Sequence, residues 1–138
     1  MAFPQTGGGW QLGDGNLNEV LMIDQPAPQT ATATAALTVA QITNGILAGS
    51  PGASAATYTL PAATDLDALL VNAKVNSAFD LVILNIDGNT SGVITVAVGT
   101  GWTLVGLATV ALAAADGSSS QWRARKTAAG AWTLYRIA

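Results

Sequence analysis

Residues 121–137 read QWRARKTAAGAWTLYRI. Two runs, QWRARKT and AWTLYRI, flank Ala128-Ala129-Gly130, and the pattern predicts a closing β-hairpin. A three-residue loop would place Gly130 at the positive-φ position. Lys126 then faces Trp132, Arg125 faces Thr133, Ala124 faces Leu134, Arg123 faces Tyr135 and Trp122 faces Arg136. Three of these pairs set a cation against an aromatic ring, each worth about 0.5–1 kcal/mol when exposed. A two-residue loop would instead oppose Arg123 and Arg136, a like-charge pair that disfavours the hairpin. The three-residue register is therefore expected. It leaves two readings of the basic cluster: cations that brace the hairpin by stacking on its own rings, or a contact face for a partner through Arg123, Arg125 and Arg136.

The same strand-and-turn pattern continues upstream. FDLVILNI (79–86), VITVAV (93–98), WTLV (102–105) and LATVALA (107–113) read as short strands. Turn formers separate them: DGNTSG at 87–92, Gly99-Thr100-Gly101, Gly106, and Asp116-Gly117 with three serines. Thr57 to Leu60 is a further strand, stopped by Pro61. Leu37, Val39 and Ile42 suggest another, ending near Asn44-Gly45. One helix is expected over about 64–73. Thr64 would be its N-cap, Asp67 would stand three residues later as an Asp variant of the capping box, and Leu66, Leu69 and Leu70 would form one apolar stripe. Short strands between Gly/Asp/Ser turns, with a single helix, imply an all-β fold: a β-sandwich or a jelly-roll-like barrel.

Residues 1–35 have a different composition and are expected to form an extended N-terminal arm on a domain of residues 36–138. Gly7-Gly8-Gly9, Gly13-Asp14-Gly15, Pro26-Ala27-Pro28 and the run TATATAA at 30–36 favour extended or flexible chain. Phe3, Trp10, Leu12 and Leu17, followed by Val20-Leu21-Met22-Ile23, are apolar residues that a merely solvated tail would not need. They pack back on their own domain or dock on a neighbouring subunit, with a disordered arm as the remaining alternative.

Composition narrows the chemistry. A length of 138 residues fits one domain with one core. Only 9% of residues are charged, against about a quarter in ordinary soluble domains, so much of the surface is expected to be covered by copies of the chain or by a partner. Four of the five basic residues and none of the eight acids fall in 122–138. The acidic total argues against sequence-independent binding of nucleic acid by the whole surface. Without Cys or His, disulfides, thiol nucleophiles, Cys/His metal sites and His acid–base chemistry are excluded. The N-terminus lacks a signal-peptide pattern, and the longest apolar stretch, about 104–115, is too short to span a bilayer. The expectation is a soluble chain made in the cytoplasm.

No catalytic, cofactor or metal site stands out. Asp65 and Asp67 would lie on different helix faces and are explained by the helix start. The glycines at 7–9 and 13–15 have no Lys-Ser/Thr after them and are not a phosphate loop. Asp14, Asn16, Asn18 and Glu19 fall short of a calcium-loop ligand set. Asn89-Thr90-Ser91 matches a glycosylation pattern but reads as a turn. No serine has a base beside it. An enzyme is not expected.

Several elements together resemble small virion proteins of tailed bacteriophages, capsid decoration (cement) proteins and related head or tail accessory domains. They are Tyr58-Thr59-Leu60-Pro61, the capped helix, the Phe79 strand ending in Asn85, Gly101-Trp102-Thr103-Leu104, and the ending Arg123-x-Arg125-Lys126…Trp132-Thr133-Leu134-Tyr135-Arg136. They cover roughly residues 37–137. The resemblance implies a β-sandwich homotrimer on the capsid exterior that clamps neighbouring capsomers of the major capsid protein, with no cofactor, nucleic acid or membrane partner. Phe3, Trp10, Leu12, Leu17, Arg123, Arg125 and Arg136 are the expected contact residues. The alternative is a head-fibre or tail accessory module that binds a host receptor or glycan, with Trp102, Trp122 and Trp132 as exposed sugar platforms.

Overall fold

The computed structural model describes residues 5–6, 9–10, 24–87, 92–110 and 118–138. These residues are mostly β. The strands are β1 (Gln5–Thr6), β2 (Gly9–Trp10), β3 (Gln29–Ala31), β4 (Ala35–Ala36), β5 (Ile46–Gly49), β6 (Ala56–Thr59), β7 (Ala78–Asn85), β8 (Ile94–Ala97), β9 (Trp102–Val105), β10 (Thr109–Val110), β11 (Ser118–Ala128) and β12 (Ala131–Arg136). Two short helices interrupt them, α1 (Val39–Thr43) and α2 (Ala63–Leu69). No described helix is long and apolar enough to cross a membrane.

Apart from the β1–β2 pair, the strands form a six-stranded sheet, ordered β3-β5-β7-β11-β12-β9, and a four-stranded sheet, ordered β10-β8-β6-β4. From β3 to β11 the chain changes sheet at every strand. Consecutive strands therefore become neighbours of the strands two places away. β5 lies parallel to both β3 and β7, and β6 lies parallel to both β4 and β8. The chain coils through both sheets until β10, β11 and β12 turn back antiparallel.

Alternation along several strands sets which face of each sheet meets the core. In β5, β6 and β8 every second residue is buried, as expected where one face meets a core. Leu47, Leu81, Ile83, Trp122 and Leu134 from the larger sheet share one cluster with Tyr58, Ile94, Val96 and Val110 from the smaller. The sheets approach closely at Gly49, where an added Cβ would lie 2.5 Å from Ile94 Cδ1 and 2.9 Å from Tyr58 Cε2. The Tyr58 hydroxyl donates across the sheets to the Ala31 carbonyl at 2.9 Å. Burial, with a further push from Asp87, raises its pKa.

The arm boundary expected after residue 35 falls inside β4, and β3 already pairs with β5. The strand expected through Leu37, Val39 and Ile42 is helix α1 instead. Thr38 accepts from the Gln41 N–H, and the Gln41 side chain accepts from the Thr38 N–H, a complete capping box that starts a helix where the apolar spacing alone suggested a strand. The expected helix at 64–73 exists but is shorter. Its N-cap is Ala62, without a side-chain bond, so Thr64 is not the cap. Leu66 is buried, but Leu69 is 57% exposed and lies outside the core stripe.

Candidate functional site

The hairpin β11–β12 has the expected register at all five positions: Trp122–Arg136, Arg123–Tyr135, Ala124–Leu134, Arg125–Thr133 and Lys126–Trp132. Its loop differs. Ala128 pairs with Ala131 across Ala129-Gly130, and the register shifts between Lys126 and Ala128. Thr127 is the extra residue, and its hydroxyl donates to the Ala131 carbonyl at 3.1 Å. A bulge thus absorbs the residue that a longer loop was expected to hold. Gly130 does take positive φ, at 64°.

β11 also pairs with β7, and this second neighbour redirects the cations. Arg123 lies opposite Asp80. Its Nε and Nη2 donate to the two Asp80 oxygens at 2.7 and 2.8 Å. The expected Arg123–Tyr135 contact is therefore replaced, because a forked charge-assisted pair is stronger than an exposed ring contact. These bonds hold the Asp80 carboxyl below the usual carboxylate range and raise the Arg123 pKa. Tyr135 is engaged instead by Arg125, whose guanidinium lies 6.0 Å from the ring centroid and also donates to Asn76 Oδ1 at 2.7 Å. Arg136 lies 5.1 Å from the Trp122 ring and donates through Nη1 to the Thr109 carbonyl and through Nε to the Ala138 carbonyl. Lys126 sits 6.0 Å from the Trp132 ring, as the register predicts.

Asp67 is the hub that the sequence did not reveal. One carboxylate oxygen accepts from the Gly130 backbone N–H at 2.8 Å. The other accepts from Trp132 Nε1 at 2.8 Å and pairs with Lys126 Nζ at 2.9 Å. Asp67 thus fastens the hairpin tip to α2 rather than capping the helix. The Gly130 N–H above all, then Lys126 and Trp132, hold its carboxyl below the ordinary range against the opposing effect of desolvation. Asp80 left a trace in the sequence, as an acid in an otherwise apolar strand. Asp67 left none beyond its place near a helix start.

Trp122 and Trp132 are fully buried, and Trp102 is 8% exposed. Their expected role as exposed sugar platforms is corrected. Each indole N–H is spent internally: Trp102 donates to the Pro61 carbonyl, Trp122 to Ser120 and Trp132 to Asp67. Phe3, Leu12 and Leu17 lie outside the described residues, as does the side chain of Trp10.

An apolar groove opens beside the hairpin tip, between the end of α2 and the start of β7. It has a volume of about 360 Å³, and its walls include Leu69, Val71, Ala73, Ser77, Phe79 and Trp132. Among the described residues no group of three or more acidic side chains is placed to hold a metal ion. No protein-family model matches the chain, and neither a curated protein nor a solved structure matches it.

Proposed function

We propose that this chain is a non-enzymatic virion structural protein that binds the outer capsid surface as a homotrimer and cements neighbouring capsomers. The observation that carries the reading is the set of aliphatic side chains exposed after α2 and near the far end of β12, on a chain with little charge. Leu69, Val71, Val75, Leu107 and Ile137 are each more than half exposed, and Val71 reaches 76%. With 9% charged residues, such a surface is suited to lie against other protein rather than water. Buried tryptophans and internally paired cations favour this over the glycan-binding alternative.

The finer architecture belongs to the same proposal. The two sheets, with their shared core, are read as a β-sandwich. The jelly-roll alternative is less favoured because jelly rolls are antiparallel, whereas β3, β5 and β7, and likewise β4, β6 and β8, run parallel. In a cement role the mechanism is mechanical. Three modest contacts per trimer add through avidity and resist outward pressure from packaged genome. Phe3, Trp10, Leu12 and Leu17 would reach the major capsid protein. Arg123, whose side chain is 54% exposed while it holds Asp80, is the hairpin cation best placed to join them. Arg125 and Arg136 would support it.

The test mixes purified protein with empty expanded capsids of a tailed phage and follows binding and capsid melting. Saturable binding and a raised capsid melting temperature are expected. No binding and no rise would overturn the proposal, and a monomer by light scattering at micromolar concentration would remove the trimer.

A further inference from the structure

We propose that β9 is a docking edge for a second copy of this chain, whose own β9 pairs with it antiparallel across a twofold axis and joins the two six-stranded sheets into one. The inference does not rest on the virion reading.

The two larger sheets have four edge strands, and three of them are guarded. β3 directly follows Pro28, and its outward Thr30 carbonyl accepts from Gln41 Nε2 at 2.9 Å. β10 is two residues long, and Arg136 Nη1 donates to its outward Thr109 carbonyl. β4 is also two residues long and leads within two residues to the Thr38 cap of α1. Short strands, prolines and side chains laid over the backbone keep sheet edges from pairing with other chains. β9 has none of these guards. It is four residues long, and among the described residues β12 is the one strand paired with it. Residues 99–110 contain no charged residue and no proline.

The ladder with β12 decides which backbone groups face outward. The Gly101 carbonyl accepts from the Trp132 N–H at 3.0 Å. Backbone groups alternate sides along a strand, so those of Thr103 and Val105 also turn to β12. Leu104 turns its N–H and its carbonyl to the open side, as one donor and one acceptor for a further strand.

A second β9 satisfies both in a single register. With Leu104 opposite the partner's Leu104, the two residues exchange both bonds, as in the hydrogen-bonded pair of an antiparallel ladder. Thr103 then stands opposite the partner's Val105, and Trp102 opposite the partner's Gly106, which brings no side chain against it. Thr103 and Val105 are exposed, Val105 by 46%, so the twofold creates two β-branched cross-strand pairs on the outer face. Leu104, already packed against the core, is covered from its open side. Leu107, 66% exposed, continues the apolar surface past the end of the ladder. No charge on either strand opposes the approach. The contact is thus self-complementary, as an isologous interface requires, and this is what selects a second copy over an unrelated strand. Pairing through one edge leaves the rest of the surface free for a threefold contact.

The absence of native cysteine permits a register test in the full chain. Thr103→Cys and Val105→Cys are made in separate chains, one with a mass tag, then mixed in equal amounts and mildly oxidised. In the proposed register the two unlike positions have Cα atoms about 4.5 Å apart, within disulfide reach. Like positions lie about 8 Å apart, beyond that reach. The expected result is a disulfide heterodimer at least tenfold more abundant than either homodimer. Hetero- and homodimers in random proportion, or no covalent dimer from chains with native circular dichroism, would overturn the proposal. Chains carrying both cysteines should stop at dimers, and a ladder of longer species would overturn the twofold in favour of head-to-tail pairing. If a cysteine variant does not fold, Val105→Lys carries the test. A lysine on the edge should weaken self-association in sedimentation at least tenfold, and unchanged association would overturn the proposal equally. Capsid binding is a separate measurement, so failure of either proposal leaves the other standing.

Discussion

Asp67 joins three donors from β11, the hairpin tip and β12 to a helix far away in sequence. Asp67→Asn would remove the charge that attracts Lys126 and leave one carbonyl oxygen to serve the Gly130 and Trp132 donors. A loss of about 1–3 kcal/mol is expected, measured as a lower urea midpoint at unchanged slope. The carboxyl titrates below its ordinary range when folded. The unfolded chain therefore takes up a proton first as pH falls, and the native state loses stability. The Asp67 contribution should be fully present above the ordinary carboxylate pKa and vanish as pH drops through the lower folded value. Asp80, depressed by Arg123, acts with the same sign. Urea midpoints at pH 7 and pH 3 should converge in the Asp67→Asn, Asp80→Asn double variant; an acid sensitivity equal to the parent's would refute this assignment. The charge of Asp67 was visible in the sequence but its partners were not, because they lie about sixty residues away and meet it only through the tertiary fold.

The hairpin was the most legible element because cross-strand chemistry is local. Cation–ring pairing and like-charge avoidance were enough to select its register, and all five expected pairs occur. What the residues could not convey was the neighbour on the other side, β7, which claimed Arg123 through Asp80. Nor did they separate a three-residue loop from a two-residue turn with a bulge at Thr127, since both give the same pairing upstream. The tip offers a sharp test. Gly130 has φ of 64°, and a Cβ there would lie 3.3 Å from Thr64 Cγ2. Gly130→Ala should cost about 1–2 kcal/mol through the left-handed backbone, with Trp132 fluorescence and thermal unfolding as readouts. Thr64→Ala in the same chain should leave that cost almost unchanged, since backbone conformation rather than crowding sets it. Helix α1 teaches the opposite lesson. Five residues carry too few apolar positions to distinguish a helical period from a strand, and the Thr38/Gln41 capping box was the one signal that could have done so.

At the scale of the molecule, period-two burial marks which face of a strand meets the core, but not which strand lies beside it. The sequence therefore supported a mostly β chain, while the alternation between sheets from β3 to β11 was hidden. That alternation makes nearly every pairing non-local, and the parallel coil is closed only by the last elements. β11 lies between β7 and β12 in the six-stranded sheet, and it supplies Trp122 and Ala124 to the core. Without β11 and β12 the outer edge of β7 would be bare, β9 would have no partner, and the centre of the core would be open. Partial folding of the earlier strands would then have to meet the loss of chain entropy, about 1–2 kcal/mol per ordered residue, with too little buried surface. A chain ending at residue 117 should accordingly lack the dispersed amide spectrum and cooperative melt of the full chain. Trp122→Ala is the gentler version of the same experiment. It empties a site that is 0% exposed and should cost about 3–5 kcal/mol, lowering both sheets' protection in hydrogen exchange together. If amides of β5, β6 and β8 kept their protection while β11 and β12 lost theirs, the coil of residues 29–97 would be an independent folding unit. The hairpin would then be an appendage to it rather than its closing element.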